Sequence, residues 1–293
     1  MKKQKQNQQT TPNNQSQTTL RLHYNSSGAK TVKLRVYESS AAPPATHLWA
    51  SGLVLARWVW HNRCAITQSQ TRVVELGCGV GLPSLVAATA NKLSKVNYVG
   101  NNVLLTDAES FSLMLVQQSI AANSLANHAH FQKFMWGDVD GSLEFTNDAT
   151  SSYPLLILAA DVLYNRATID AFLATISTLL HSHDSKCEIN EHVFKPNTPA
   201  RCVLAYQDRT PSRNIDHLFA LWHLTATIIS NDEFGFVESD KQKAVDARVG
   251  PNVSPLNEGI TIEGCEEGEE TGSGWGADLL SVVVCSICAT SSE

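Results

Sequence analysis

The chain has 293 residues, 43% of them hydrophobic, and a formal net charge of −6. That is apolar material for a full buried core, and no apolar run approaches the roughly 18 to 20 residues of a membrane span, so a membrane-spanning protein is excluded from the expectation. Seven scattered cysteines and an N-terminus without an apolar signal core fit a reduced protein of the cytosol or nucleus better than a secreted disulfide scaffold.

In chain order, "MKKQKQNQQTTPNNQSQTTL" (1–20) is a Gln/Asn/Thr-rich tail of low order, ahead of a single domain over 21–293. "HLWASGLVLARWVW" (47–60) is apolar nearly all round and predicts a helix covering a sheet. Strand-like and helix-like stretches then alternate. "TRVVEL" (71–76) is followed by the helix "LPSLVAATANKL" (82–93), and "NVLLTD" (102–107) by a helix from 108 to about 125. "HFQKFMW" (130–136) alternates as a strand. "PLLILAAD" (154–161) is apolar throughout, as a parallel strand buried on both faces should be. Helix 167–180, strand "RCVLAYQ" (201–207) and helix 212–224 complete the alternation, which predicts an α/β Rossmann-like domain, its sheet mostly parallel with helices on both faces. The closing strands "TATIIS" (225–230) and "LLSVVVCSI" (279–287) predict an antiparallel hairpin with a lengthened connection. Residues 237–278 of that connection hold ten acidic and three basic residues, net −7, which leaves −6 − (−7) = +1 for the rest of the chain. Such a segment reads as a flexible insertion unable to bury enough apolar surface to order itself. Cys285 and Cys288 lie inside the last apolar run rather than at a helix start, where a redox pair would be activated.

The stretch "VVELGCGVG" (73–81) carries the chemistry. A nicotinamide-binding turn spaces its glycines G-x-G-x-x-G, whereas here the third comes one residue early; a triphosphate loop needs a Gly-Lys-Ser/Thr that is absent. What stands instead is an acid on the strand, Glu75, a turn of Gly77, Cys78, Gly79 and Gly81, and a second acid, Asp107, ending the next strand. S-adenosylmethionine has a sulfonium and an amino group but no phosphate, so its site needs close backbone approach and acidic partners more than an anion cradle. Gly77 and Gly79 permit that approach, and Asp107 is placed to accept hydrogen bonds from both ribose hydroxyls, since ligands of open parallel sheets bind beyond the strand ends.

"LWASGLVLARW", "VVELGCGVGLPSLVAA", "LLTD", "MWGD" and "LILAADVLYN" together resemble the successive motifs of the class I, seven-stranded protein methyltransferases of the lysine-methyltransferase-like group. Within that group, "YQDRTPSRNIDHLFALWHL" (206–224) is most similar to a branch that methylates histone arginines, whereas its relatives methylate lysines on chaperones and other proteins. The resemblance implies that Trp49 closes over the methionine end of S-adenosyl-L-methionine, that Trp136 flanks the adenine and that Ala160 lies near the sulfur. It implies chemistry at "ADVLY", where Asp161 orients the acceptor nitrogen and Tyr164 walls its channel. A lysine acceptor needs a neutral amine. An arginine acceptor needs carboxylates to localise its charge, and Asp208, just past the strand expected beside that of Asp161, is the available second acid.

The partner expected is a protein substrate, with a histone or a chaperone as the classes implied; the sequence shows no basic patch interleaved with aromatics that would mark dedicated nucleic-acid binding, and no metal is expected. Two rival readings stay open. A small-molecule methyltransferase should carry added helices over its acceptor pocket. A non-catalytic cofactor-binding protein has no need of Asp161 and Tyr164.

Overall fold

The computed structural model describes residues 15–23, 30–39, 44–94, 96, 103–144, 153–189, 200–207, 216–230, 260–266 and 282–290. Two sheets organise them. Strands β1 (Gln15–His23) and β2 (Thr31–Ser39) come first, then a 3-10 turn at Pro44–Thr46 and helices α1 (Ala50–His61) and α2 (Arg63–Gln68). The alternating core follows: β3 (Arg72–Leu76), α3 (Leu82–Leu93), β4 (Val103–Asp107), α4 (Ser110–Ala122), β5 (Ala129–Lys133), α5 (Val139–Glu144), β6 (Leu155–Ala160), α6 (Arg166–Ile189) and β7 (Arg201–Gln207). Helix α7 (Asp216–Leu221) and strands β8 (Leu224–Ile229), β9 (Ile260–Glu266) and β10 (Val282–Ala289) close the chain.

The larger sheet has seven strands in the order β5-β4-β3-β6-β7-β10-β8. Its first five are parallel, while β10 runs antiparallel to both β7 and β8, so the predicted closing hairpin of β8 and β10 forms, with β10 lying between β7 and β8. Side chains alternate between two apolar layers, as strand geometry requires. On β6, Leu156 and Leu158 pack in the layer with α1 and α3, while Leu155, Ile157 and Ala159 face α6. That double burial explains why β6 reads as unbroken apolar sequence. Strand order reverses between β3 and β6, and the crevice at a reversal point is where open α/β sheets bind ligands.

The smaller sheet, in the order β2-β1-β9, was not legible in the sequence. Residues 15–20, expected in a low-order tail, begin β1; residues 260–266, expected in a flexible acidic insertion, form β9 and pair antiparallel with β1. The reason is local. Leu20 and Leu22 alternate with polar residues and meet Leu34 and Val36 in the core, and a composition averaged over a long window hides this, as it hides the β-branched run Ile260-Thr261-Ile262 among the acids. The remainder of the expected tail and insertion lies outside the described residues. The other edge of this sheet is closed by α4: Asn123 accepts the Arg35 N–H at 2.9 Å and donates to the Arg35 carbonyl at 2.6 Å, while Ser119 Oγ accepts the Tyr37 N–H at 3.0 Å. Cys285 and Cys288, three apart on a strand, point to opposite faces, and burial pushes the Cys285 thiol up to about 12. Among the described residues no helix is long and apolar enough to cross a membrane.

Candidate active site

A cleft of about 440 Å³ opens at the reversal point, beyond the carboxyl ends of β3, β4 and β6. Its floor is the glycine turn. Gly77 and Gly79 hold φ of +66° and +54°, in the left-handed region that disfavours side chains. The neighbours of the turn use the missing Cβ atoms: one built on Gly77 would lie 2.6 Å from the Trp136 ring and 3.2 Å from Val162, and one on Gly79 would lie 2.7 Å from the Ala45 carbonyl oxygen. Gly81, expected at the cofactor, does not line the cleft. It precedes α3 with φ +75° and faces Leu105, which a Cβ would meet at 2.5 Å, so its bareness serves helix-on-sheet packing.

Two acids sit beneath and beside this turn. Glu75 is fully buried; its Oε2 accepts the Ser84 N–H at 3.0 Å in the first turn of α3, and its Oε1 has no hydrogen-bond partner. Burial, against the opposing pull of Ser84, pushes its carboxyl up to about 8. Asp107 ties the two loops together, accepting the Gly79 N–H on Oδ2 and the Glu109 N–H on Oδ1, both at 2.8 Å. Burial raises its pKa and those donors oppose the rise. A carboxylate offers about four lone-pair sites, so each oxygen retains one for a ligand.

The walls are aromatic. Trp136, after β5, stacks edge-on against Phe172 with centroids 5.2 Å apart and presents its ring beside Gly77. Trp49 precedes α1 and is 42% exposed at the cleft, whereas Trp58 and Trp60 on the same helix are buried in the core; the structure thus separates three tryptophans that sequence periodicity alone leaves alike. Trp49 is held by a bond from its indole N–H to the Pro44 carbonyl at 2.9 Å. Ala160, Asp161 and Tyr164 form the rim after β6, with Tyr164 67% exposed. Asp161 is half-buried at φ +54°, a conformation that costs a non-glycine residue about 1–3 kcal/mol, least for Asp and Asn, and that collects at functional sites. Its N–H donates to the Ala205 carbonyl of β7 at 2.8 Å, fixing the kink at the seam of two strands. A cap on α6 would be the structural use of an acid here, but Asn165 does that, accepting the Ala167 N–H at 3.1 Å.

Ten of the residues singled out in the sequence therefore meet in one cleft: Trp49, Glu75, Gly77, Cys78, Gly79, Asp107, Trp136, Ala160, Asp161 and Tyr164. Asp208 lies outside the described residues. Sequence reasoning missed Pro44, Ala45 and His47, which carry no motif, and Glu109, whose backbone partner Asp107 was visible but whose own placement depends on the loop. Buried Cys78 has its thiol pushed well up by burial and by its acidic neighbours, so it is packing and not a nucleophile.

The described lining carries four acids, Glu75, Asp107, Glu109 and Asp161, and no lysine or arginine. That donor set fits a phosphate-free ligand bearing an ammonium, a sulfonium and a ribose, with the orphaned Glu75 Oε1 as one acceptor. The sheet order, the glycine turn and the acids on β3, at the end of β4 and just after β6 together define an S-adenosylmethionine-dependent methyltransferase. The sequence profile of the lysine methyltransferase family matches residues 29–192, more than half of the chain, and the chain belongs to that family of protein methyltransferases. It is 24% identical over 198 residues to the histone-arginine methyltransferase METTL23 of Homo sapiens, covering 67% of this chain and 86% of that one. It is 26% identical over 178 residues to the protein N-terminal and lysine N-methyltransferase EFM7 of Candida glabrata, covering 59% and 64%. A solved SAM-dependent methyltransferase from Agrobacterium tumefaciens superposes with a TM-score of 0.45 at 12% identity, covering 88% of this chain and 68% of that one.

Proposed function

We propose that the enzyme methylates an arginine side-chain nitrogen of a basic protein, with a histone as the acceptor class that the human relative's name suggests. The observation that carries the reading is Asp161, an acid held in a strained backbone conformation on the rim of an acidic cleft whose mouth is open and aromatic. S-adenosylmethionine supplies an electrophilic methyl group, whose carbon–sulfur bond breaks as the carbon–nitrogen bond forms. Asp107 would hold the ribose, Trp136 and the Gly77–Gly79 turn would flank the adenosine, and Glu75 and Trp49 would face the methionine end. Asp161 accepts a hydrogen bond from the guanidinium and draws its charge toward the nitrogens it holds, leaving the lone pair of the incoming nitrogen free to face the methyl group; the proton that this nitrogen sheds as the new bond forms passes to Asp161 or to water at the open rim. Asp208, next in the sequence after β7, is the acid assigned as the second carboxylate that a guanidinium fork favours. Tyr164 screens the nitrogen from water. Positioning of this kind supplies much of the rate, because the reaction needs little beyond alignment of a lone pair. A histone acceptor goes with a cytosolic and nuclear location.

The test is incubation of the enzyme with labelled S-adenosylmethionine and cell extract, then mass spectrometry of the labelled residue. Monomethyl- or dimethylarginine on a basic protein is the expected result. Methyllysine or a methylated N-terminus, the acceptors in the name of the Candida glabrata relative, would overturn the arginine assignment while leaving the enzyme class intact.

A further inference from the structure

Residues 44–49, ahead of α1, line the cofactor cleft at Pro44, Ala45, His47 and Trp49, and hold one 3-10 turn at Pro44–Thr46. What places it is a chain of hydrogen bonds leading to the small sheet. Glu38, near the end of β2, accepts the Leu48 N–H on Oε2 at 2.7 Å and the Thr18 hydroxyl of β1 on Oε1 at 2.5 Å. Thr46 Oγ donates to the Ser39 carbonyl at 2.9 Å, so the segment is pinned to the strand end twice. On the cleft side, the Ala45 carbonyl sits against the bare α-carbon of Gly79, and the indole of Trp49 is tied to the Pro44 carbonyl. The sheet itself is anchored by its leucines in the core and by the Trp60 indole, which donates to the His23 carbonyl at 2.6 Å. Its third strand, β9, comes from the connection between β8 and β10.

We propose that Glu38 is a positioning residue for cofactor binding: through its two carboxylate bonds the small sheet, and with it the β8–β10 connection, sets how closely residues 44–49 cover the glycine turn. This rests on the reading of the cleft as the S-adenosylmethionine site. Glu38 does not line the cleft, so it acts only through Leu48 and the residues on either side. The role asks for an acceptor at Leu48 and a partner at Thr18, both of which a glutamine amide provides, its oxygen accepting and its nitrogen donating.

The experiment compares wild type, Glu38→Gln, Glu38→Ala and Thr18→Val by calorimetric titration with S-adenosylhomocysteine, by thermal melting and by amide hydrogen exchange without ligand. Glu38→Ala is expected to weaken binding about tenfold, the equivalent of one hydrogen bond to a charged group. It should also speed exchange at 44–50 and raise KM for S-adenosylmethionine without raising KM for the acceptor. Glu38→Gln should stay within about threefold of wild type, and Thr18→Val, which removes the hydroxyl that donates to Glu38 Oε1 and leaves the β1–β2 ladder in place, should fall between. A Glu38→Ala protein with a lowered melting point but wild-type affinity would overturn the proposal, as would a Glu38→Gln protein as impaired as Glu38→Ala. If Glu38→Ala does not fold, Thr18→Val decides, unchanged affinity counting against. Failure of wild type to bind S-adenosylhomocysteine would instead sink the reading of the cleft.

Discussion

Replacing Asp107 gives the sharpest measure of how the cleft is built. Its two oxygens each take one backbone N–H at 2.8 Å, from Gly79 and from Glu109, so Asp107→Ala leaves two donors without partners. A hydrogen bond to a charged group is worth about 1.5–3 kcal/mol; because water in the open cleft can reach both donors, we take the lower end and expect about 2–3 kcal/mol in all. For a chain of this size that lowers Tm by about 4–12 °C. The ribose contact is lost as well, which should weaken S-adenosylmethionine binding by a further 10- to 150-fold, or about 1.5–3 kcal/mol. Asp107→Asn is the discriminating variant. An amide has one accepting oxygen, so one of the two N–H groups must face another donor, and the change should cost nearly as much as alanine in both melting and affinity. The assays are differential scanning calorimetry and isothermal titration. An asparagine variant indistinguishable from wild type in both would refute the two-donor arrangement and the ribose assignment together.

Asp161→Asn keeps the shape and the tolerated left-handed backbone but removes the charge, so cofactor affinity should hold while turnover on the identified protein falls about 10²- to 10⁴-fold; near-full turnover would remove Asp161 from the mechanism. The buried carboxyl of Glu75, pushed up to about 8, is protonated more readily in the folded chain than in the unfolded one, so its favourable contribution to stability is complete below about pH 4.5 and is lost as pH rises toward 8. Glu75→Gln should therefore flatten the decline in Tm over that window, and should remove the gain in affinity for the cationic cofactor expected of wild type as Glu75 ionises; parallel pH profiles would refute both. Deleting residues 260–266 removes the strand that pairs with β1, and both Tm and cofactor affinity should drop. A deletion protein with wild-type values would return that segment to the status of a passive loop.

The large sheet and most of the cleft were legible because they depend on short-range pattern. Apolar runs of strand length punctuated by a glycine turn, with acids at strand ends, report on a local backbone path that the sheet then gathers to one edge. Three kinds of fact were not legible. The role of Gly81 depends on Leu105, which lies on a neighbouring strand, so three adjacent glycines that look equivalent divide into two that meet the cleft and one that meets the core. The pairing of β1 with β9 joins segments that composition marks as polar and acidic, and only the alternation of Leu20 and Leu22 hints at burial. Asp161 was singled out for its charge, but the positive φ that holds it follows from the β6–β7 seam, through a bond to Ala205.

The pairing of β1 with β9 also has a consequence in time. Leu20 pairs with Ile262, so nearly the whole chain lies between the two partners. At about 5–20 residues per second, a ribosome that has finished β1 needs on the order of 12 to 50 s more to deliver β9. Contacts so distant in sequence are also slow to close once both partners exist. During that interval β3, β4 and β6 have already emerged, and the glycine turn can form with its acids in place. The covering residues 44–49 wait on a sheet that is still missing a strand. The floor of the cleft can thus form before its roof, whose supporting sheet is complete only once β9 has been made.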